Sequence, residues 1–255
     1  MNATIAVPDA LRSFFREHPK LALAFSGGTD SAYLLYAATA CGCDVRPFYA
    51  QSAFQPAFER ADAERLAREL GAEITIVPLD VLANEDVRKN PADRCYHCKR
   101  AIFTALMEAA RAAGCDAIMD GTNASDDAGD RPGMRALAEL GVLSPLRQCG
   151  VTKDAVRAYS REAGLFTWDK PAYACLATRI PAGTAIADAD LKRVEGAETA
   201  LFKLGFSDLR VRLLGDIARL QLPADQLARA VERREEVRRA LAPWFGAVVL
   251  DLKER

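Results

Sequence analysis

The chain has 255 residues, of which half are hydrophobic and 27% charged, so a packed core is expected and disorder is not. Its 34 lysines and arginines nearly balance its 35 aspartates and glutamates, and no strongly basic run occurs, which argues against nucleic acid as a partner. No apolar stretch is long enough to span a bilayer and no signal-peptide pattern is present, so we expect a cytoplasmic protein without membrane contact.

Helices and strands are predicted to alternate along the first two thirds of the chain. Helical spacing of apolar residues occurs over 9–18, after residue 28, over 56–70, from the 90–99 loop to about 113, and over 152–163. Short apolar runs predict strands over 21–25, 45–50, 74–79 and 116–120. This alternation predicts an α/β fold with a parallel, doubly wound sheet.

The most informative motif follows the first predicted strand and reads Ser26-Gly27-Gly28-Thr29-Asp30-Ser31. Glycines at such a turn let the backbone approach an anion closely, and the N–H groups at the start of the next helix bind phosphate. The two serines can add hydroxyl donors, and Asp30 can hold a magnesium ion or its water. An ordinary glycine-rich turn is the alternative. The motif resembles the S-G-G-x-D-S signature of the PP-loop ATP pyrophosphatases, which implies cleavage of ATP between its α and β phosphates and adenylation of a carbonyl or carboxylate.

A second polar segment follows the fourth predicted strand. Gly121, Thr122 and Asn123 lie at the edge where ligands of open parallel sheets gather, so this turn can meet the adenine or the phosphates of ATP. The run 125–135 is expected to be a loop rich in groups that order magnesium and phosphate, among them Asp126, Asp127, Asp130, Arg131 and Arg135. A solvated loop with local ion pairs is the alternative.

Seven cysteines in a cytoplasmic chain are expected to be thiols or metal ligands rather than disulfides. Cys95 and Cys98 stand at the start of a predicted helix, and this C-x-x-C spacing can chelate one metal or bridge two irons of a cluster. A redox dithiol and a zinc half-site are the alternatives. His97 is expected to be a surface histidine. Packing or structural roles are expected for Cys41, Cys43, Cys115 and Cys149.

The pattern changes towards the carboxyl terminus. An irregular segment, 167–179, holds Trp168, Asp169, Lys170, Cys175 and Arg179, and such segments carry chemistry on rigid scaffolds. It is followed by a predicted helix over 188–204, a hairpin over 209–214 and 217–222, a charged helix over 224–241 and a closing strand over 247–252. We therefore expect two domains, 1–180 and 185–255. Arg210 and Arg212 lie on one face of a strand, where a pair of guanidinium groups suits a phosphate and a solvent-facing pair is equally consistent with the spacing.

These segments together resemble the LarE family of ATP-dependent sulfur transferases over nearly the whole chain. The resemblance rests on 26–31, on Asp93-Arg94-Cys95 through Cys98-Lys99, on 121–123, on 130–133, on Trp168 through Cys175 to Pro181, and on Arg210 through Arg219. It implies that Asp30, Lys99 and Cys175 are catalytic, and that Arg210 and Arg212 hold the phosphate of the substrate. It also implies an ATP site at Ser26, Gly27, Gly28, Asp30, Ser31, Gly121 and Thr122.

The family's substrate is pyridinium-3,5-biscarboxylic acid mononucleotide, a precursor of the nickel-pincer nucleotide cofactor. A carboxylate of this small-molecule nucleotide is adenylated, pyrophosphate leaves, and sulfur attacks the acyl adenylate to give a thiocarboxylate. In one branch of the family a single cysteine at the position of Cys175 gives up its own sulfur. In the other branch, that cysteine and a C-x-x-C pair bind a 4Fe-4S cluster that carries sulfide.

The presence of Cys95, Cys98 and Cys175 resembles the cluster branch. The resemblance therefore implies ATP, Mg2+ and a 4Fe-4S cluster as cofactors, a sulfide source as a partner, and a homo-oligomer, which is a hexamer in the family. The alternatives are a PP-loop transfer-RNA thiolase with an iron–sulfur cluster, a sacrificial-cysteine sulfur transferase, an amide-forming ligase, and a nucleotide-binding module without enzymatic activity.

Overall fold

The computed structural model describes residues 7–126 and 132–254. The chain divides into two compact units. The first takes in Met1–Ser52, Ala57–Leu79 and Asp93–Lys170, and the second takes in Ala53–Pro56, Asp80–Ala92 and Pro171–Arg255. The domain boundary at 180–185 stays a prediction.

The described residues form the following helices and strands. The helices are α1 (Asp9–Glu17), α2 (Thr29–Ala40), α3 (Ala57–Glu69), α4 (Glu85–Arg88), α5 (Arg94–Ala112), α6 (Pro132–Glu139), α7 (Pro145–Gln148), α8 (Lys153–Glu162), α9 (Asp188–Lys203), α10 (Ala224–Glu232) and α11 (Arg234–Leu241). The strands are β1 (Lys20–Ala24), β2 (Asp44–Gln51), β3 (Thr75–Pro78), β4 (Ile118–Met119), β5 (Arg210–Leu214), β6 (Ile217–Gln221) and β7 (Ala247–Leu250). Single 3-10 turns cover Val81–Ala83 and Leu176–Arg179. None of the described helices combines the length and the apolar character needed to cross a bilayer.

The sheet of the first unit is parallel, with the strand order β3-β2-β1-β4. The central strand β1 is buried on both faces, because Leu21, Ala22 and Leu23 have no exposed surface. Side chains alternate across a strand, so Leu21 and Leu23 join one core cluster with α2 and α8, and Ala22 joins another with α5. The predicted α/β fold with a parallel sheet is confirmed.

Local signals set the ends of the helices in this unit. Thr152 caps α8, since its Oγ1 accepts a hydrogen bond from the N–H of Ala155 at 3.3 Å, and Gly164 follows the helix with a positive φ of 69°. Both roles match the predicted start and stop. The strand β1 ends at Ala24, and α2 begins at Thr29, so the motif at 26–31 spans the turn and the first helical residues.

The prediction of a loop over 125–135 is wrong at its carboxyl end, because α6 begins at Pro132. Proline suits the first turn of a helix, and Ala136 and Leu137 bury this helix in the core beside α5. Asp126 lies in the turn before residue 127. Asp127, Asp130 and Arg131 lie outside the described residues.

The second unit has a three-stranded sheet in the order β5-β6-β7. β5 and β6 form the predicted hairpin, and β7 runs parallel to β6. The prediction of one helix over 224–241 is wrong, since the chain leaves helical geometry at Arg233 (φ −96°, ψ 23°) between α10 and α11. The guanidinium of Arg233 donates to the carbonyl of Leu204 at 2.8 Å, a long-range contact that the helical pattern does not contain.

Candidate active site

The glycine-rich loop has the backbone that its sequence predicts. Gly27 has a φ of 69°, and a Cβ at this position would lie 2.9 Å from the Cβ of Ala63, so neither the conformation nor the space admits a side chain. The Oγ of buried Ser31 accepts a hydrogen bond from the N–H of Ser26 at 3.3 Å and lies 3.1 Å from the carbonyl of Gly28. The loop is therefore closed by its own hydroxyl groups just before α2.

The irregular segment at 167–170 holds this loop from a distant part of the first unit. Thr29 Oγ1 donates to the carbonyl of Thr167 at 2.8 Å, and both residues are buried. Lys170 Nζ lies 2.7 Å from Asp62 Oδ2 and 3.4 Å from the carbonyl of Gly27. A cation that the motif itself lacks is thus present beside the loop.

Asp30 is engaged on both carboxylate oxygens. Lys153 Nζ lies 2.6 Å from its Oδ2, and Asn123 Nδ2 lies 3.3 Å from its Oδ1. Asp30 lies in the first turn of α2, directly after the glycine-rich loop, and a carboxylate oxygen is the ligand type that Mg2+ prefers, so Asp30 fits a magnesium role. Lys153 was missed from the sequence, because its position after a helix cap gives no hint of a partner 123 residues away.

The turn after β4 adjoins the loop, and the role predicted for it in binding ATP stays a prediction. A Cβ on Gly121 would lie 3.1 Å from both the Cβ of Asp30 and the backbone nitrogen of Ser31. Thr122 is buried, and its hydroxyl donates to Asp120 Oδ2 at 2.5 Å. Asp120 also accepts a hydrogen bond from Ser144 Oγ at 2.7 Å. The structure therefore brings Gly121 to the ATP motif and directs the Thr122 hydroxyl to Asp120.

The two cysteines of the C-x-x-C pair lie one turn apart at the start of α5, where Cys95 is exposed and Cys98 is half-buried. Cys95 Sγ lies 3.8 Å from Arg94 Nη2. Cys175 is half-buried in the second unit, immediately before the turn Leu176–Arg179. Residues 7–126 and 132–254 contain no group of three or more His, Cys, Asp or Glu side chains placed to hold a metal ion. The pair on α5 thus has the chemistry of a cluster site and offers two of the thiolates that such a site needs.

The neighbours of this pair are partly fixed. Lys99 packs on α6, because a Cβ on Gly133 would lie 3.1 Å from Lys99 Cδ. His97 Nε2 lies 3.4 Å from Asp93 Oδ2, and its side chain is 27% exposed. The histidine predicted to lie on the surface is therefore partly exposed.

The other cysteines are suited to packing. Cys43 and Cys115 belong to the two core clusters of the first unit. Burial raises the pKa of the Cys43 thiol to about 11, and it also raises the pKa of Cys41, Cys115 and Cys149. These thiols are therefore neutral at physiological pH and poor nucleophiles.

Arg210 and Arg212 both donate to backbone carbonyls of the second unit. Arg210 is buried and reaches Ala172 at 2.9 Å, and Arg212 reaches Thr178 at 2.7 Å. Burial, together with the nearby charge of Arg179, lowers the pKa of Arg210 to about 10. Burial also lowers the pKa of Arg212. Such groups gain from an anionic partner, because an anion offsets the cost of burying a cation.

Sequence reasoning also missed Glu198, which is 1% exposed on α9. Its carboxylate accepts hydrogen bonds from Arg179, from the N–H of Val211 and from the hydroxyl of Tyr173. Burial alone would lower the pKa of Arg179, but the hydrogen bonds and charge of Glu198 raise it. A glutamate in a helical pattern looks like an exposed residue, so its burial has no local signal.

Comparisons with known proteins place the chain among sulfur-transferring enzymes. No protein-family model matches it. It is 34% identical to the pyridinium-3,5-bisthiocarboxylic acid mononucleotide synthase of Lactiplantibacillus plantarum, an alignment that covers 98% of this chain and 92% of that protein. It is 37% identical to an uncharacterized Synechocystis protein over 87% of this chain and 83% of the relative. It is 27% identical to a Thermotoga tRNA-specific 2-thiouridylase MnmA, over 57% of this chain and 52% of that protein. The 34% identity to the Lactiplantibacillus plantarum synthase, along nearly the full length of both chains, means that the protein belongs to the LarE family of ATP-dependent sulfur transferases, within the PP-loop ATP pyrophosphatase superfamily.

Proposed function

We propose that this protein uses ATP to adenylate a carboxylate of pyridinium-3,5-biscarboxylic acid mononucleotide and then replaces the activated oxygen with sulfur. Pyrophosphate and AMP are released, and the product is a thiocarboxylate on the path to the nickel-pincer nucleotide cofactor. The observation that carries this proposal is the match to a synthase of the bisthiocarboxylic mononucleotide over 98% of the chain. The closed, glycine-rich loop before α2 supports the use of ATP.

The loop and its neighbours supply the activation step. A carboxylate is a poor electrophile, and linking it to AMP provides a leaving group. The N–H groups at the start of α2 and the hydroxyls of Ser26 and Ser31 are the proposed donors to the phosphates. Gly121 and Thr122 border the same site. Lys153 and Lys170, both beside the loop, add the positive charge that a polyphosphate requires.

Asp30 is the proposed magnesium ligand. A bound Mg2+ would neutralise part of the charge that develops on the departing pyrophosphate. In its absence Lys153 balances the carboxylate, at 2.6 Å from Oδ2.

Arg210 and Arg212 are the proposed binders of the substrate phosphate. A guanidinium carries five N–H donors, so hydrogen bonds to backbone carbonyls and, for Arg212, to the side-chain oxygen of Gln221 leave each side chain with donors for an anion. Their lowered pKa values mean that a phosphate would relieve an unfavourable burial of charge.

For the sulfur, we propose the cluster branch of the family, with Cys95, Cys98 and Cys175 as the ligands. A 4Fe-4S cluster, when bound, would supply a carrier for sulfide. Lys99, the residue after Cys98, is proposed to offer its ammonium to the oxyanion of the acyl intermediate. The proposal also includes a cytoplasmic location and a homo-oligomer, as the family resemblance implies.

The test is a reaction of the anaerobically reconstituted protein with ATP, Mg2+, the dicarboxylate mononucleotide and sulfide. AMP should form only when the mononucleotide is present, and mass spectrometry should detect exchange of oxygen for sulfur in the product. Bulk transfer RNA is the comparison substrate, because MnmA is a tRNA thiolase. AMP formation that responds to transfer RNA and not to the mononucleotide would refute the proposal.

A further inference from the structure

The buried side chain of Arg179 bonds to the backbone on both sides of Cys175. Arg179 Nη1 lies 2.6 Å from the carbonyl of Ala174 and 3.3 Å from the carbonyl of Cys175. These carbonyls belong to the two peptide groups that flank the Cys175 Cα. When both flanking peptides are fixed, φ and ψ are fixed, and so is the direction of the Cα–Cβ bond.

Additional bonds tighten the same segment. Thr178 Oγ1 donates to the carbonyl of Cys175 at 2.8 Å, and Arg179 Nη1 lies 2.9 Å from this hydroxyl. The N–H of Leu176 donates to the carbonyl of Phe54 at 2.9 Å. The carbonyl of Cys175 also accepts the N–H of Thr178 at 3.0 Å. Cys175 thus sits in a backbone that is bonded on both sides, although it belongs to a segment without regular structure.

Arg179 is itself immobilised by Glu198. Its Nε and Nη2 lie 2.9 and 3.0 Å from the two carboxylate oxygens, and the two side chains are 0% and 1% exposed. The Tyr173 hydroxyl donates a hydrogen bond to the Glu198 carboxylate, and the centre of its ring lies 4.5 Å from the Arg179 guanidinium carbon. Replacing such a buried pair by apolar side chains is often neutral or stabilising, so stability alone does not account for it.

The same carboxylate also fixes the strand that carries the proposed phosphate binders. Glu198 Oε1 accepts the N–H of Val211, the residue between Arg210 and Arg212, at 2.8 Å. Arg212 Nη1 reaches the carbonyl of Thr178 at 2.7 Å. The segment with Cys175 and the strand with the two arginines therefore share one hydrogen-bonded frame.

We propose that Arg179 is the positioning residue for Cys175. Held by Glu198 and Tyr173, it fixes the peptides on either side of Cys175 and so sets the direction of the Cys175 Cα–Cβ bond relative to Arg210 and Arg212. The inference rests on the proposed function only for the use made of the Cys175 sulfur. Its geometry concerns the backbone, and it holds whether that sulfur is donated or serves as a ligand.

The test compares three full-length variants without added iron. Arg179→Lys keeps the charge and removes the fork, Tyr173→Phe loosens Glu198 and leaves Arg179, and Arg193→Lys is the matched control. Arg193 pairs with Asp190 and Asp216 in the same unit, on the same helix as Glu198. Site-resolved alkylation of Cys175 and hydrogen exchange of the amides of 175–179 are the readouts, and neither requires ATP or substrate.

Arg179→Lys should increase the rate of Cys175 alkylation and the rate of amide exchange over 175–179 roughly tenfold. The loss of one charged hydrogen bond raises the equilibrium constant for local opening by about that factor. Tyr173→Phe should give a smaller rise, and Arg193→Lys should match the wild type. Buried Cys43 should react at the same slow rate in all of them. If Arg179→Lys does not fold, Tyr173→Phe and Thr178→Val decide the question by the same readouts.

Folded variants with alkylation and exchange within about twofold of wild type would overturn the proposal. Equal acceleration throughout α9 and β6 would also overturn it, since that result means a general role in stability. A wild type that transfers no sulfur would count against the proposed function and would leave these two readouts interpretable.

Discussion

The ammonium of Lys153 lies 2.6 Å from the carboxylate of Asp30, which sits in the phosphate-loop motif. The two side chains are 29% and 23% exposed, so solvent screens their attraction only in part. Asn123 occupies the second carboxylate oxygen. The acid of the motif is therefore balanced by a base and an amide that come from two later segments of the chain.

Replacing Asp30 with Asn should abolish release of pyrophosphate while leaving the fold intact. The amide keeps the size of the side chain and removes the negative charge that a magnesium ion needs. Pyrophosphate release in the presence of substrate and a thermal unfolding curve are the two measurements. Asp154→Asn, in the first turn of α8, is the control and should release pyrophosphate normally. Normal release by Asp30→Asn would remove this residue from the catalytic set.

Gly27→Ala should lose ATP affinity and stability for two separable reasons. A φ of 69° costs an alanine about 1 kcal/mol, and the new Cβ would also meet the Ala63 Cβ at 2.9 Å. Gly42→Ala is the matched control, because its φ is 75° and a Cβ there meets nothing within 4 Å. The denaturation midpoint and the ATP dissociation constant should change more for Gly27→Ala than for the control. The double variant Gly27→Ala, Ala63→Gly should recover little, because the Cα and backbone nitrogen of residue 63 would still lie 3.0 Å from the new Cβ. Full recovery would contradict this account.

Local sequence patterns predicted most helices and strands of the first unit. They did not predict which distant residues contact one another. Alternating apolar runs located β1 to β4, and the cap Thr152 with its stop Gly164 located α8. No local pattern pairs Lys153 with Asp30 or buries Glu198 against Arg179, because both contacts depend on how separate segments meet. The break at Arg233 has the same origin, since its bond to the Leu204 carbonyl is invisible to helical periodicity. The glycine-rich loop was thus predictable from the sequence, whereas its contact with Lys153 was not, and the cysteine site stays a prediction.

Arg210 and Arg212, replaced together by Ala, should weaken binding of the mononucleotide more than binding of ATP. Each lost charged hydrogen bond to a phosphate is worth about 1.5 to 3 kcal/mol. The double variant should also be less stable, because the carbonyls of Ala172 and Thr178 each lose a donor. Calorimetric titration with each ligand separates the effects. Equal loss for both ligands would mean that the pair acts on the fold and not on the substrate.

Alkaline pH should destabilise the protein partly through Cys43. Its thiol has an ordinary pKa of 9.0 and a folded pKa of about 11, so the unfolded chain loses this proton first. Between these values the unfolded state binds fewer protons, and stability falls as the pH rises. Urea unfolding at several pH values should show the wild type losing on the order of 1 to 2 kcal/mol more than Cys43→Ala across this window. Equal losses of stability in the wild type and in Cys43→Ala would contradict the raised pKa of Cys43.

The three cysteines of the proposed cluster decide whether the protein acts as a catalyst or as a single-use reagent. Cys95 and Cys98 lie one turn apart at the start of α5, and Cys175 lies in the second unit within a segment fixed by Arg179. The three thiolates would hold a 4Fe-4S cluster, which would supply a carrier for sulfide. Sulfur supplied in that way need not come from a cysteine.

Protein reconstituted without oxygen should therefore hold about four irons per chain and lose them when any one of the three cysteines becomes Ala. Cys149→Ala is the control, because this half-buried thiol has a raised pKa and lies outside the proposed set. With added sulfide the wild type should turn over more than once, and its mass after the reaction should be unchanged. Loss of one sulfur per turnover, with dehydroalanine at position 175, would instead assign the chain to the sacrificial branch. In that case Cys95→Ala and Cys98→Ala should each retain a single turnover, because only the sulfur of Cys175 would be consumed.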